Sequence, residues 1–256
     1  MSWERNINIK SQQEIAIMRE AGRINALALA ATKALIQPGV TTIELDKAAE
    51  EVIRKHGAIP TFLGVPGAYP YPNSITVSIN DEMVHGIPGK RKLKEGDIVS
   101  VDCGATYEGF VGDAAFTVGV GEVSQEAQDL IDVTEQSLME GISKLRVGNR
   151  LGDVGASIQR YAESRGYYLT RMYTGHGVGR TMWEGPQVPN YGTPGHGLPL
   201  KAGMTLALEP MLLVGTEETR VLADKWTVVS TDGSLTAHFE HTVAVTTGDP
   251  LILTLP

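Results

Sequence analysis

Apolar residues recur at helical spacing in two pairs of segments, and each pair leads into stretches whose alternating or continuous apolar runs read as strands. Ser11 with Glu14 makes a capping-box signature before a helical run to about Ile36, with Ile15, Met18 and Leu27 on one face. Pro38-Gly39 breaks it. Thr41 with Glu44 opens a second helix, and Gly57 stands where a left-handed cap would end it. A Pro/Gly/Tyr-rich loop, FLGVPGAYPYPNS, precedes the alternating strand ITVSIN. His85 follows, and then two strands in which IVSV runs into Asp102 and FVG runs into Asp113.

The second half repeats the plan. Ser124 opens a helix through Leu130, Leu138, Ile142 and Leu145, Val147-Gly148 interrupts it, and Asn149 caps another helix that stops at Gly166. His176, the segment LKAGMTLALEP and the segment TAHFEHTVAVT follow. LKEGDIVSVD lies over LKAGMTLALE, so that Asp102 matches Glu209. FVGDAAFTV lies over HFEHTVAV, which matches Asp113 to Glu240, and VHGIPG over GHGVGR matches His85 to His176. Self-similarity of this kind implies two copies of one supersecondary unit, roughly residues 11–119 and 124–247, within a single domain spanning 1–256. The predicted class is α+β: each copy is two helices backed by antiparallel strands, and the copies face each other about a pseudo-twofold axis. Each contributes a histidine and two acids to the seam.

Composition narrows the function. A net charge of −8 and a pI near 5.3 argue against a nucleic-acid partner. Cys103 is the only cysteine, so neither a disulfide framework nor a thiolate zinc site is available, and it reads as a small packing residue. The opening residues MSWERNINIK lack the apolar stretch of a signal peptide, and no apolar run reaches membrane-span length. The expected location is cytoplasmic, away from membranes.

Ionised carboxylates on inner strands are costly to bury without a partner. Four of them with one or two imidazoles form an oxygen-rich set that suits Mn, Fe, Co or Zn as a dinuclear pair. Such a pair lowers the pKa of a shared water and polarises a carbonyl, which points to hydrolysis of an amide or ester. Phosphoryl transfer is disfavoured, because GHGVG lacks the Lys-Ser/Thr of a phosphate-binding loop.

Taken together, HGIPG, VDCGATYEGFVGD, TGHGVGR, LEPM, WTVV and HFEHTVAVT resemble type I methionine aminopeptidases of the pita-bread metallopeptidase family M24, in order and over nearly the whole chain. The resemblance implies the short bacterial form without an N-terminal zinc-finger extension. It implies removal of the N-terminal methionine from nascent proteins and peptides, with preference for a small second residue, by a hydroxide shared between two divalent ions. Asp102 would bind one ion, His176 and Glu209 the other, and Asp113 and Glu240 both. Glu209 would also shuttle the proton, and His85 would hydrogen-bond near the scissile nitrogen. Tyr71, Thr76, Met182 and Trp226 would line the methionine pocket. A monomer in transient proximity to the ribosome is expected.

Three departures stand out. Trp183 occupies the place of a second substrate-contacting histidine of the family, and its indole can donate one hydrogen bond but cannot titrate or accept. The loop VPGAYPYPN is longer than usual, and Thr76 stands where a cysteine is common. The competing readings are an Xaa-Pro-type aminopeptidase, which shares the fold and ligands, and an inactive pita-bread binding protein, which would have lost ligands that this chain keeps.

Overall fold

The first capping box forms as the sequence spells it: Ser11 N donates to Glu14 Oε2 at 2.9 Å, and Ser11 Oγ accepts from Glu14 N at 3.3 Å. Helix α1 spans Gln12–Leu35 and α2 spans Thr42–Lys55, with Gly57 just beyond in the left-handed region at φ 74°. The structure, a computed structural model, describes residues 7–256; the part of the N-terminal reading that rests on residues 1–6 lies outside it. Strands β1 (Ile59–Pro60), β2 (Ile75–Ile79), β3 (Glu82–Val84), β4 (Ile98–Tyr107) and β5 (Phe110–Gly119) complete the first half. Glu108 and Gly109 turn β4 into β5, both at positive φ (46° and 77°), the backbone that a two-residue hairpin turn demands.

Helices α3 (Gln125–Ser143) and α4 (Leu151–Glu163) open the second half. The residue before α4 is Arg150, not the expected Asn149. Asn149 Nδ2 instead donates back to Lys144 O at 2.9 Å, just past α3, while Asp153 Oδ2 accepts from Arg150 N at 2.7 Å. Next come β6 (Tyr168–Leu169), β7 (Gly175–Gly177), β8 (Glu184–Val188), β9 (Thr205–Leu208) and β10 (Met211–Leu213). The chain finishes with β11 (Thr219–Val221), β12 (Val228–Ser230), β13 (Thr236–His238), β14 (Glu240–Ala244) and β15 (Leu251–Ile252). The stretch TAHFEHTVAVT, of which HFEHTVAV is matched in sequence to the single strand β5, is thus two strands. Its first residues pair with β10, and from Glu240 onward it joins the large sheet.

Among the described residues that sheet has nine strands, ordered β1-β4-β5-β14-β9-β7-β8, with β2 also on β4 and β15 on β14. The two halves meet where β5 pairs with β14. Strand parity assigns the faces. Val99, Val101, Cys103 and Ala114 point to the side covered by α1 and α2, where they share a core with Ile24, Leu45 and Ile53. Leu206, Leu208 and Val243 do the same beneath α3 and α4, with Leu138 and Ile158. Helix α1 makes its tightest approach to β5 glycine against glycine, since a Cβ on Gly112 would meet Gly22 Cα at 2.6 Å. All four helices therefore occupy one face, and the other is left for chemistry.

The sequence repeat and the strand pairing differ by a register step. In the second half Leu208 faces His241, so Glu209 and Glu240 come level. In the first half Asp102 faces Ala115 and Asp113 faces Gly104, an offset of two residues. An even offset keeps every side chain on its own face, so the acids stay together. The match of His85 to His176 is not kept. His176 lies on β7 beside β9, whereas the strand beside β4 is β2, and His85 lies past β3 at φ 61°.

Candidate metal centre

Cross-strand partners share a face, and two rows of such partners cross the sheet. Thr76, Asp102, Ala115 and Glu240 form one row. His176, Ala207 and Thr242 form the next, which reaches Asp113 through the hydroxyl of Thr242. Glu209 is two residues from Ala207 and so shares that face.

His176 Nε2 lies 3.5 Å from Glu209 Oε1 and 3.8 Å from Asp113 Oδ2. One ligand atom each from Asp113, His176 and Glu240 fall within 4.8 Å of one another. Burial pushes the Asp113 carboxyl up to about 7. Burial, and then the charge of neighbouring acids, carries Asp102, Glu209 and Glu240 well above the usual carboxylate range. The same burial lowers His176 to about 4, so its imidazole is neutral. His176 Nδ1 is 2.9 Å from Gly177 O; the carbonyl can only accept, so the proton sits on Nδ1 and Nε2 keeps its lone pair.

Asp102 Oδ1, Asp113 Oδ1 and Glu240 Oε1 are buried with no hydrogen-bond partner. Orphaned carboxylate oxygens converging with an imidazole lone pair fit divalent cations, and the donor set is that of Mn, Fe, Co or Zn. Cys103 faces the helices, so no thiolate takes part.

Two cavities open beside these residues. The first, about 140 Å³, is lined by Phe62, Val65, Tyr71, Thr76, Met182 and Trp226, with Asp102 also in its wall. The second, about 190 Å³, includes Tyr173, His176, Glu209 and Met211. His85 and Trp183 border both. Every pocket residue expected from the resemblance thus lines a single space, while Phe62 and Val65, in the Pro/Gly/Tyr-rich loop, were not singled out. Tyr71 Oη shares its one proton between Gly86 O (2.9 Å) and Ile75 O (3.1 Å), tying that loop to the turn carrying His85. Trp226 packs edge-on to Tyr71, with ring centroids 5.1 Å apart, and its ring lies where a side chain on Gly67 would stand. Burial lowers His85 to about 4, leaving it neutral.

The segment bearing Met182 and Trp183 is anchored from the N-terminus. Glu184 accepts from Lys10 Nζ at 2.5 Å, Asn8 Nδ2 at 2.9 Å and Arg180 N at 2.8 Å. Nothing local marks that pairing, because its partners are 174 residues apart. A second residue missed in the sequence is His238, two positions before Glu240. Its place inside the motif HFEHTVAVT was the available signal.

The model of metallopeptidase family M24 matches residues 16–247. A methionine aminopeptidase of Clostridium perfringens is 49% identical over 249 residues, covering 97% of this chain and 99% of the relative. The crystal structure of methionine aminopeptidase from Thermotoga maritima superposes with a TM-score of 0.95 at 46% identity, covering 98% of this chain and 100% of that one. Prolidase from Pyrococcus furiosus has a TM-score of 0.78 at 20% identity, covering 97% of this chain and 65% of that one, a likeness of fold alone. The architecture is the pita-bread fold. With a family match over that span and near-half identity along almost the whole chain, this protein belongs to metallopeptidase family M24.

Proposed function

We propose that this protein is a type I methionine aminopeptidase that removes the N-terminal methionine from peptides and nascent proteins, using two divalent cations. The observation that carries the reading is the junction itself: buried, unpartnered carboxylate oxygens stand beside a cavity sized for one unbranched apolar side chain. At about 140 Å³ that cavity is well below a typical ligand cleft, and its apolar and aromatic walls suit a thioether.

Asp102 would hold one cation, His176 and Glu209 the other, and Asp113 and Glu240 both. When bound, the cations supply the charge that acidifies a water and polarises the scissile carbonyl. Asp102 lines the methionine cavity and, once a cation has displaced its proton, would attract the free α-amine of the substrate. A blocked N-terminus forfeits that attraction. Residues after the methionine would follow into the second cavity, so the scissile bond lies between His85 and Trp183, the two walls common to both. The neutral His85 imidazole can donate to the scissile nitrogen, and Glu209 can take up and return the proton. Trp183 offers its indole N–H and forms an apolar edge for a small second residue.

The reading extends to a monomeric cytoplasmic enzyme that meets its substrates near the ribosome. Among the described residues no helix is long and apolar enough to cross a membrane. The test is a peptide panel on metal-free protein reloaded with Mn or Co. Cleavage of Met-Gly peptides, with acetylated and Xaa-Pro peptides left intact, is the expected outcome. Preferential cleavage of Xaa-Pro peptides, or of none, would overturn it.

A further inference from the structure

His238 is the one buried imidazole facing these acids that the scheme above leaves idle. It is 1% exposed, its Nε2 has no hydrogen-bond partner, and it lies 3.7 Å from Glu209 Oε2. Its backbone is held at both ends by one hydroxyl: His238 N donates to Thr117 Oγ1 at 2.9 Å, and Thr117 Oγ1 donates to His238 O at 2.8 Å. Ser100 Oγ, 2.8 Å from Thr117 Oγ1, extends that support to β4. The ring is therefore placed by the fold and still has an unused nitrogen aimed at Glu209.

Glu209 thus stands between two imidazoles, with Oε1 toward His176 and Oε2 toward His238. At 3.7 Å the second contact is an electrostatic approach, longer than a closed hydrogen bond. Leaving the buried Nε2 of His238 unpaired is costly, and a small turn of the Glu209 carboxylate closes the gap. We infer that His238 is a positioning residue for Glu209: its Nε2–H holds Oε2, which commits Oε1 to the cation shared with His176. This rests on the reading of Glu209 as a ligand. It also supplies the centre with an imidazole donor from β13 in a chain that has Trp183 on the loop before β8.

The test compares His238→Ala, His238→Gln and Glu209→Gln with the parent, measuring manganese affinity of the metal-free protein by calorimetry alongside kcat and KM on a Met-Gly peptide. Loss of an outer partner of a metal ligand typically costs about 10–100-fold in affinity or activity. His238→Ala is expected to weaken manganese binding about tenfold and lower kcat at least as much, with KM changed by less than about twofold. His238→Gln, whose amide can still donate, should restore both to within about threefold. Parent-like values in His238→Ala overturn the inference, as does a folded His238→Gln no better than the alanine variant. Should His238→Ala fail to fold, the glutamine variant decides alone: near-parent values support the donor role and a loss like that expected for alanine refutes it. Glu209→Gln with parent manganese affinity and kcat would instead remove the ligand role itself, separating that failure from this one.

Discussion

Thr242 and Asp113 clasp each other across the seam between the two halves: the threonine hydroxyl accepts from Asp113 N at 3.0 Å and donates to Asp113 O at 2.8 Å. The backbone of a proposed bridging ligand is thereby fixed by the opposite half of the fold. Thr242→Val keeps the shape but leaves the buried Asp113 N–H and C=O without this partner. A loss of about 1–3 kcal/mol in stability is expected, together with weaker manganese binding. Thermal denaturation and calorimetry check both, and unchanged values would show that the clasp does not support the site.

The proposed bridges require an asymmetry among the acids. Asp113→Asn and Glu240→Gln should each abolish occupancy at both cation positions, whereas Asp102→Asn should spare one. Metal content by elemental analysis after gel filtration measures it. Equal partial loss in all three variants would remove the assignment.

Burial raises the Asp113 carboxyl from 3.8 to about 7 and lifts Asp102, Glu209 and Glu240 in the same direction. Burial also holds His85, His176, His238 and His241 well below 6.5, which opposes the acids up to about that pH; above it the folded metal-free protein still holds carboxyl protons that the unfolded chain has released, so its stability falls as pH rises. The Tm of chelator-treated protein should drop from pH 7 to pH 8, and added manganese should raise Tm more at pH 8 than at pH 7. A metal-free Tm that climbs across that window would contradict the protonation described.

Trp183, 42% exposed, forms a wall of both cavities. Trp183→His is expected to keep or raise kcat on Met-Gly peptides, because it supplies a donor that can also titrate. A fall approaching the cost of an oxyanion donor, about 10²-fold, would assign the indole an active part of its own.

Lys10 and Glu184 are 4% and 5% exposed at their side chains. Lys10→Met leaves the Glu184 carboxylate its amide donors but no counter-charge, and breaking a buried pair from one side costs up to about 3–5 kcal/mol. The segment holding Met182 and Trp183 should loosen, raising KM for Met-Gly peptides, and Lys10→Met with Glu184→Gln together should recover part of the lost stability. A KM unchanged in the single variant would dissociate the pair from the pocket.

Much of this molecule was legible because its signals are local. Capping boxes at Ser11 and Thr41 and the glycine past α2 mark helix ends within a few residues of themselves. The two-residue period of a strand is also local, so acids at Asp102 and Asp113 amid apolar neighbours announced a shared, chemically occupied face. The repeat added the matched acids of the second half without any knowledge of the pairing.

What tertiary structure alone decided lies in contacts between residues far apart in the chain. The two-residue register offset between the halves, the division of TAHFEHTVAVT after His238, and the removal of His85 from the place matched to His176 all depend on which strand each segment finds as a neighbour. Asn149 turns back to the carbonyl of Lys144, just past the preceding helix, and does not cap the next. Lys10 reaches Glu184, and His238 faces Glu209, because the folded sheets carry them there. Periodicity and caps specify what a segment is and which way its side chains alternate; only packing specifies which distant side chain stands opposite.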